Sequence, residues 1–413
     1  MENAASGSEA AEESAPIPLT EPTEGTPPVV TDPATLRAAC ARLAAGTGAV
    51  AVDTERASGY RYWPKAYLVQ LRRESAGSVL VDPVALDGDL SPLVEVINGE
   101  EWVLHAASQD LPCLAELDLR PARLFDTELA GRLAGFERVA LGTLVEQLLG
   151  YRLEKGHSAV DWSTRPLPEP WLNYAALDVE LLIPLREKLE AELSAQGKLE
   201  WAYQEFEAVR TAPPAAPRSE PWRRTSGIHK IRSPRKLAAV RALWEARDEL
   251  ARKRDRAPSR ILPDSAIISA VLADARTAAD LQALPVFGGR VQRRYSSHWL
   301  RRLQAARVLP ESELPAPAGP PEGPPPVNRW ADKDPDAAAR LAAARTELTS
   351  LAEHHRLPVE NLLLPDLVRR TCWQPPEDRS PEGVAETLRA GGARPWQVEL
   401  TAESLSRALH ATA

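Results

Sequence analysis

Short apolar runs alternate with longer amphipathic stretches over the first half of the chain. Apolar residues at a helical spacing pass through Leu36, Cys40 and Leu43, and the apolar run at 48–52 predicts a buried strand. Three further strands are predicted at 66–71, 79–81 and 102–105. Helical patterns follow at 111–117, 126–135, 141–149 and 170–193. Strands followed by mixed strands and helices predict an α/β domain with a mixed sheet flanked by helices, over 31–210.

Only helical patterns follow this domain. A Pro/Ala-containing linker is predicted over 211–232, a small all-α domain over 233–309, a Pro-rich linker over 310–334 and a second small helical domain over 335–413. Each helical domain has a long amphipathic helix, then a proline, then an apolar stretch with Leu-Pro-Asp, at 262–264 and 364–366. This shared order favours an internal duplication.

The N-terminal segment differs in composition from the rest. Residues 1–30 contain no Lys or Arg and are rich in Ala, Glu, Pro and Ser. Such a segment buries too little apolar surface to offset the entropy of ordering it, so it is predicted to be a disordered, acidic and Pro-rich tail.

Length and composition limit the class of protein. With 413 residues the chain should hold two to four domains. No apolar run reaches the roughly 18–20 residues of a membrane span, and no basic segment precedes an apolar stretch at the N-terminus. The three cysteines (Cys40, Cys113 and Cys372) form no CxxC pair, so neither disulfides nor a thiolate zinc site is expected. We therefore expect a protein of the reducing cytoplasm, without membrane contact.

The net charge of −8 conceals a basic block. Residues 211–310 contain 21 Lys and Arg against eight Asp and Glu, whereas the rest contains 29 against 50. A basic segment of domain size is typical of a surface that binds nucleic acid, and a merely solvated helical face is the alternative.

Candidate chemistry begins where the first apolar strand ends. Asp53 and Glu55 are two residues apart, so on a strand they point to the same side and could hold hard cations. The alternative is a polar strand end entering a turn. The same Asp-Thr-Glu letters recur at 126–128 before a helical stretch, where Asp126 is predicted to be an N-cap.

Two more acids extend this set. Asp110 follows the 102–105 strand and opens a helix, where it could also be a simple cap. Tyr174 and Asp178 share one helix face, where a hydrogen-bonded pair is the alternative to a site. Carboxylates that converge at one sheet end repel one another unless cations neutralise them, and such a set suits two-metal phosphoryl transfer.

The ordered motifs resemble the ribonuclease D family, in the DEDD superfamily of 3′→5′ exonucleases with a ribonuclease H-like fold. The resemblance lies in Val52-Asp53-Thr54-Glu55-Arg56 and in the three later stretches His105–Leu111, Asp161–Ser163 and Tyr174–Val179. It implies four metal-binding acids: Asp53, Glu55, Asp110 and Asp178. It also implies that Tyr174 positions the attacking water. The tyrosine subgroup is indicated because the other subgroup would need His where this chain has Asn173.

The basic helical segment is similar to an HRDC domain, a small nucleic-acid-binding module, and 335–413 resembles a second, diverged one without the basic surplus. The resemblance implies a monomeric exoribonuclease that uses two divalent ions, Mg²⁺ or Mn²⁺, to release nucleoside 5′-monophosphates from single-stranded RNA 3′ ends. Substrates such as tRNA precursors are suggested by the family. A DNA 3′→5′ exonuclease and a non-catalytic RNA-binding scaffold remain alternatives.

Other polar and aromatic residues leave their roles open. His105 ends a strand, where a core or supporting role is expected, and His157 is placed in a loop near the substrate. Tyr60, Tyr62 and Trp63 follow the first acids and could either stack on bases or pack over the sheet edge.

Overall fold

A six-stranded mixed sheet forms the centre of the first domain. The computed structural model describes residues 15–154, 156–157, 159–317 and 323–412. The strands are β1 (Ile17–Leu19), β2 (Val29–Val30), β3 (Thr47–Arg56), β4 (Ala66–Glu74), β5 (Gly77–Val81), β6 (Glu101–Leu104), β7 (Arg123–Asp126) and β8 (Tyr151–Leu153). In the main sheet their order is β2-β5-β4-β3-β6-β7, with β4 antiparallel to both neighbours. The predicted mixed sheet is therefore confirmed.

Eight helices accompany this sheet. They are α1 (Pro33–Ala45), α2 (Ser91–Ile97), α3 (Leu111–Ala115), α4 (Thr127–Ala134), α5 (Leu141–Leu149), α6 (Glu169–Glu180), α7 (Leu182–Ala195) and α8 (Leu199–Arg210). The single helix predicted over 170–193 is wrong, because it is divided into α6 and α7. Pro184 explains the division, because in a continuous helix its ring would clash with the backbone carbonyl of Glu180.

The prediction of disorder over 1–30 is wrong for its second half. β1 pairs in parallel with β8, and β2 pairs in parallel with β5 at the sheet edge. The backbone of Thr23 donates to Glu180 on α6 at 3.2 Å. Pairing with exposed strand edges satisfies this backbone, so a few apolar residues are enough to order it. Residues 1–14 lie outside the described residues.

The next segment is a helical domain with its own core. It contains α9 (Pro234–Arg254), α10 (Pro258–Ile261), α11 (Asp264–Leu272), α12 (Ala278–Gln282) and α13 (Arg290–Arg307). Leu243, Ile267 and Trp299 are fully buried in this core. Trp222 also packs there and is 3% exposed, so the predicted 211–232 linker is already folded at that residue.

The C-terminal segment repeats this order of helices. It contains α14 (Trp330–Lys333), α15 (Pro335–His354), α16 (Val359–Leu362), α17 (Pro365–Trp373), α18 (Pro381–Ala390) and α19 (Pro395–Ala408). The helices α9, α10 and α11 have 21, 4 and 9 residues, and α15, α16 and α17 have 20, 4 and 9. The matching order supports the predicted duplication.

The two helical domains join the first domain differently. The C-terminal one shares a continuous apolar core with the sheet domain. Trp396 stacks on Trp201 of α8 with ring centroids 5.0 Å apart, and its indole nitrogen donates to Glu205. The α9–α13 domain keeps a separate core and meets the sheet domain mainly at the loop after β3. In the part of the chain that the structure describes, no helix is both long and apolar enough to cross a membrane.

Candidate active site

The strand β3 places the first two acids on the sheet face that α6 covers. Asp53 and Glu55 are two residues apart, so their side chains project from the same face, as predicted. Glu55 is 7% exposed, whereas Asp53 is partly open to solvent. The site is therefore anchored in a largely buried strand and reaches solvent at Asp53.

Helix α6 brings the third acid to this pair. One ligand atom from each of Asp53, Glu55 and Asp178 lies within 4.8 Å of the others. Tyr174 stands one helical turn before Asp178, so its phenol lies on the same helix face and close to these carboxylates. The predicted tyrosine–aspartate pair is thus part of the acidic cluster.

Asp110 lies beside this three-acid cluster, in the turn after β6, and is not one of the acids grouped within 4.8 Å. It stands at the N-cap of α3, yet its side chain makes no capping hydrogen bond. Instead it accepts a 2.7 Å hydrogen bond from the hydroxyl of Thr54, and the guanidinium of Arg56 lies 3.5 Å away. Asp110 is therefore held against the first motif, and the simple-cap alternative does not describe it.

Asp126 caps α4, as predicted, and also has a role that sequence reasoning missed. Its carboxylate accepts from the backbone of Glu128 and Leu129 and from the backbone of Ala106 and Ala107. The last two bonds fix the turn that precedes Asp110, in which Ala106 has a left-handed φ of 60°. Asp126 also ends β7, so a preceding strand does not distinguish the two Asp-Thr-Glu copies. The copies differ because Glu55 still belongs to strand β3, whereas Glu128 already lies in helix α4.

Burial raises the pKa of all four acids, and repulsion between carboxylates adds to this effect at Asp53 and Glu55. Burial, reinforced by the charges of Asp53 and Asp178, raises the pKa of Glu55 to about 10. Burial raises the pKa of Asp178 to about 7, and burial together with Asp110 and Asp178 raises that of Asp53 well above its usual range. The pKa of Asp110 is raised by burial as well, although Thr54 and Arg56 oppose the shift.

This donor set fits hard divalent cations. Carboxylate oxygens are the ligands that Mg²⁺ and Mn²⁺ prefer, and bound cations would favour the ionised form that burial and repulsion oppose. The nearby Arg56 supplies one positive charge, which is too little to neutralise four carboxylates.

The loop after β3 is covered mainly by the α9–α13 domain, which neither sequence-based alternative foresaw. Asp255 accepts hydrogen bonds from the backbone of Tyr62 and Trp63 at 3.1 and 3.2 Å. The hydroxyl of Tyr62 donates to Asp248, and the Arg260 guanidinium lies 4.0 Å from the Tyr60 ring centroid. Trp63 remains 43% exposed, so of the three aromatic residues it is the one available for stacking.

Neither histidine belongs to the three-acid cluster. His105 hydrogen-bonds through Nδ1 to the hydroxyl of Thr127 at 2.9 Å, and burial lowers its pKa to about 4. The His157 ring lies 5.9 Å from the Tyr174 ring, edge to face.

An exposed basic patch lies next to the contact between the α9–α13 domain and the loop after β3. We define it by six exposed residues that have no carboxylate partner among the described residues: Lys253, Arg254, Arg256, Arg290, Arg293 and Arg294. Arg254 lies over the Tyr295 ring at 4.9 Å, so the end of α9 and the start of α13 form one surface. By contrast, Arg370, Arg389 and Arg407 of the C-terminal domain are all ion-paired.

Comparison with protein families identifies three regions. Residues 27–194 match a family described as 3′-5′ exonuclease, 236–303 match the HRDC domain, and 323–409 match a 3′ to 5′ exonuclease C-terminal domain.

Individual relatives cover most of the chain. A ribonuclease D of Acidiphilium cryptum is 36% identical over 304 residues, which are 71% of this chain and 75% of that protein. A Bifidobacterium adolescentis protein of known structure superposes with a TM-score of 0.89 at 40% identity, over 95% of this chain and 99% of that one. The RNase D of Escherichia coli, described as an exoribonuclease involved in structured RNA processing, gives 0.67 at 25% identity over 92% and 98%.

Proposed function

The chain belongs to the ribonuclease D family of 3′–5′ exoribonucleases, and from this premise we propose that its acidic cluster removes nucleotides from RNA 3′ ends with two divalent cations. The residues that would hold the cations are Asp53, Glu55, Asp110 and Asp178. The observation that carries the proposal is the grouping of Asp53, Glu55 and Asp178 within 4.8 Å, with Asp110 held against the same strand.

Mg²⁺ or Mn²⁺, when bound, would lower the pKa of water and stabilise both oxygens exchanged at phosphorus. The chain's own residues fix where this occurs. The β3 strand and α6 set the spacing of three acids, and Thr54 and Asp126 set the place of Asp110. The water would lose a proton and its oxygen would bond to phosphorus, while the bond to the preceding 3′ oxygen breaks and that oxygen takes up a proton. The product released is a nucleoside 5′-monophosphate.

Tyr174 orients the attacking water. Burial and the neighbouring carboxylates raise the pKa of its phenol, so the hydroxyl stays protonated at neutral pH. It therefore acts as a hydrogen-bonding group rather than as a base. Its place one helical turn before Asp178 puts the hydroxyl beside the cation ligands.

The basic patch holds the RNA upstream of the cleaved end. Asp255 joins the end of α9 to the loop after β3, so the patch and the acids are parts of one surface path. Its Lys and Arg residues would contact phosphates without reading sequence, and Trp63 would stack on a base near the 3′ end. All these groups come from one chain, so a monomer is sufficient.

Structured RNAs, including tRNA precursors, are the substrate class that we propose. The similarity to the E. coli enzyme over nearly the whole chain supports this class. The four acids and Tyr174 favour an enzyme over a scaffold that only binds RNA. The DNA exonuclease alternative depends on contacts to the 2′-hydroxyl and is decided by experiment.

The test uses matched RNA and DNA oligomers labelled at the 5′ or 3′ end, with Mg²⁺, Mn²⁺ or EDTA. We expect a ladder of shortened 5′-labelled RNA, labelled mononucleotide from the 3′-labelled RNA, no reaction in EDTA, and slower cleavage of DNA. Faster cleavage of DNA than of RNA would favour the DNA exonuclease alternative. Cleavage in EDTA would contradict the cation site.

A further inference from the structure

Gln70 is a buried polar residue in the layer between the sheet and α6. It lies on β4 and is 0% exposed. Its neighbours in this layer include Leu68 and Leu80, which pack against Ala176 of α6. In the described part of the chain, neither the amide nitrogen nor the amide oxygen of Gln70 has a hydrogen-bond partner. Buried amides are normally paired, so this one requires an explanation.

The strand register places Gln70 beside the first acid. Asp53 on β3 is paired directly with Gln70 on β4. Side chains of directly opposed residues share a face, with Cβ atoms about 4.5–5.5 Å apart. The amide is therefore within side-chain reach of the Asp53 carboxylate, from the neighbouring strand β4.

We propose that Gln70 is a positioning residue that donates a hydrogen bond from its amide to Asp53 when that carboxylate ligates a cation. The inference rests on the proposed cation site. A carboxylate that binds a cation has one oxygen available for a donor behind it, and residues in this position orient the ligand. Arg72, the next residue on the same face, is paired with Glu180 at 3.1 Å and is thus already committed.

The test compares three proteins: the wild type, Gln70→Met and Leu80→Met. Methionine keeps the approximate volume of glutamine and removes both polar atoms. Leu80 is a matched control because it pairs with Gln70 from the other neighbouring strand and is equally buried. Mn²⁺ binding to each protein is measured by titration calorimetry, and thermal unfolding is measured in EDTA.

We expect Gln70→Met to weaken Mn²⁺ binding about tenfold, since removal of such supporting partners typically costs 10–100-fold in metal affinity. In EDTA it should unfold at the wild-type temperature or above, because two unpaired buried atoms are gone. Leu80→Met should bind Mn²⁺ within about twofold of the wild type.

Three results would overturn the account in different ways. Wild-type Mn²⁺ affinity in Gln70→Met means that the amide only fills space or holds a buried water. Failure of Gln70→Met to fold in EDTA means that the amide serves the metal-free fold rather than the loaded site. Absence of Mn²⁺ binding in the wild type contradicts the cation site itself, and so separates failure of the proposed function from failure of the role of Gln70.

Discussion

The hydroxyl of Thr54 donates a 2.7 Å hydrogen bond to the carboxylate of Asp110, 56 residues further along the chain. Thr54 stands between Asp53 and Glu55, so one tripeptide supplies two acids of the cluster and holds a third. Arg56 adds an ion pair to the same carboxylate. Residues of the 52–56 motif therefore hold Asp110, the acid of the next motif along the chain, in place.

Thr54→Val keeps the side-chain shape and removes the donor to Asp110. Hydrogen bonds to charged groups contribute about 1.5–3 kcal/mol, so we expect a single-turnover rate at least about tenfold lower. Thr127→Val is the control from the second Asp-Thr-Glu copy, where the hydroxyl donates to the Leu104 carbonyl. It should lower the free energy of unfolding and leave the rate of the folded protein nearly unchanged. Equal rate losses in both variants would contradict the role given to Thr54.

Tyr174→Phe keeps the ring and removes the hydroxyl that orients water. Positioning and proton handling typically contribute about 10²–10⁴-fold, so the cleavage rate should fall within that range. RNA affinity, measured in EDTA, should stay within about twofold. Because Tyr174 is not a cation ligand in this account, excess Mn²⁺ should not restore the rate. Restoration by Mn²⁺ alone would show that the hydroxyl acts through cation binding.

Replacement of Lys253, Arg254 and Arg256 by Gln removes half of the basic patch. Three fewer phosphate contacts should reduce the slope of log affinity against log salt by about 2 for single-stranded RNA. The matched control replaces three ion-paired residues of the C-terminal domain by Gln: Arg370, Arg389 and Arg407. The control variant should have the same slope as the wild type. If the patch variant also kept the wild-type slope, the patch would be a solvated surface that does not contact RNA phosphates.

His105 makes stability depend on pH. Burial lowers its folded-state pKa from 6.5 to about 4, so between these values the unfolded chain binds the extra proton. This contribution is complete above pH 6.5 and is lost as the pH falls toward 4, by up to about 3 kcal/mol. His105→Asn keeps a donor for Thr127 and should remove this dependence. Urea unfolding of both proteins at pH 7 and pH 5 measures the difference, and parallel losses in the two would rule it out.

The sequence predicted the acids because local spacing fixes local geometry. Asp53 and Glu55 are two residues apart on a strand and so share a face, and Tyr174 and Asp178 are one helical turn apart, whatever the rest of the chain does. The long apolar periodicities predicted α9 and α15 for the same reason.

Elements that depend on distant partners could not be predicted in this way. β1 and β2 are ordered by strand edges supplied by β8 and β5, and β7 is only four residues long. The role proposed for Gln70 depends on strand register, and that of Asp126 depends on the turn before Asp110. Asp255 acts through a contact between two domains. None of these arrangements leaves a periodic signal in the sequence. The Leu-Pro-Asp repeated at 262–264 and 364–366, in contrast, is visible in the sequence itself and predicted the duplication.

The central claim is that these acids hold the cations that hydrolyse RNA, and Asp53→Asn tests it most directly. Glu128→Gln is the control, because Glu128 occupies the place of Glu55 in the second Asp-Thr-Glu copy and pairs with Arg132 outside the cluster. Single-turnover cleavage of a 5′-labelled RNA is measured at saturating Mn²⁺. We predict a loss of about 10²–10³-fold or more for Asp53→Asn, with an unfolding temperature in EDTA at or above that of the wild type, and no loss for Glu128→Gln. Cleavage by Asp53→Asn at the wild-type rate would contradict the central claim.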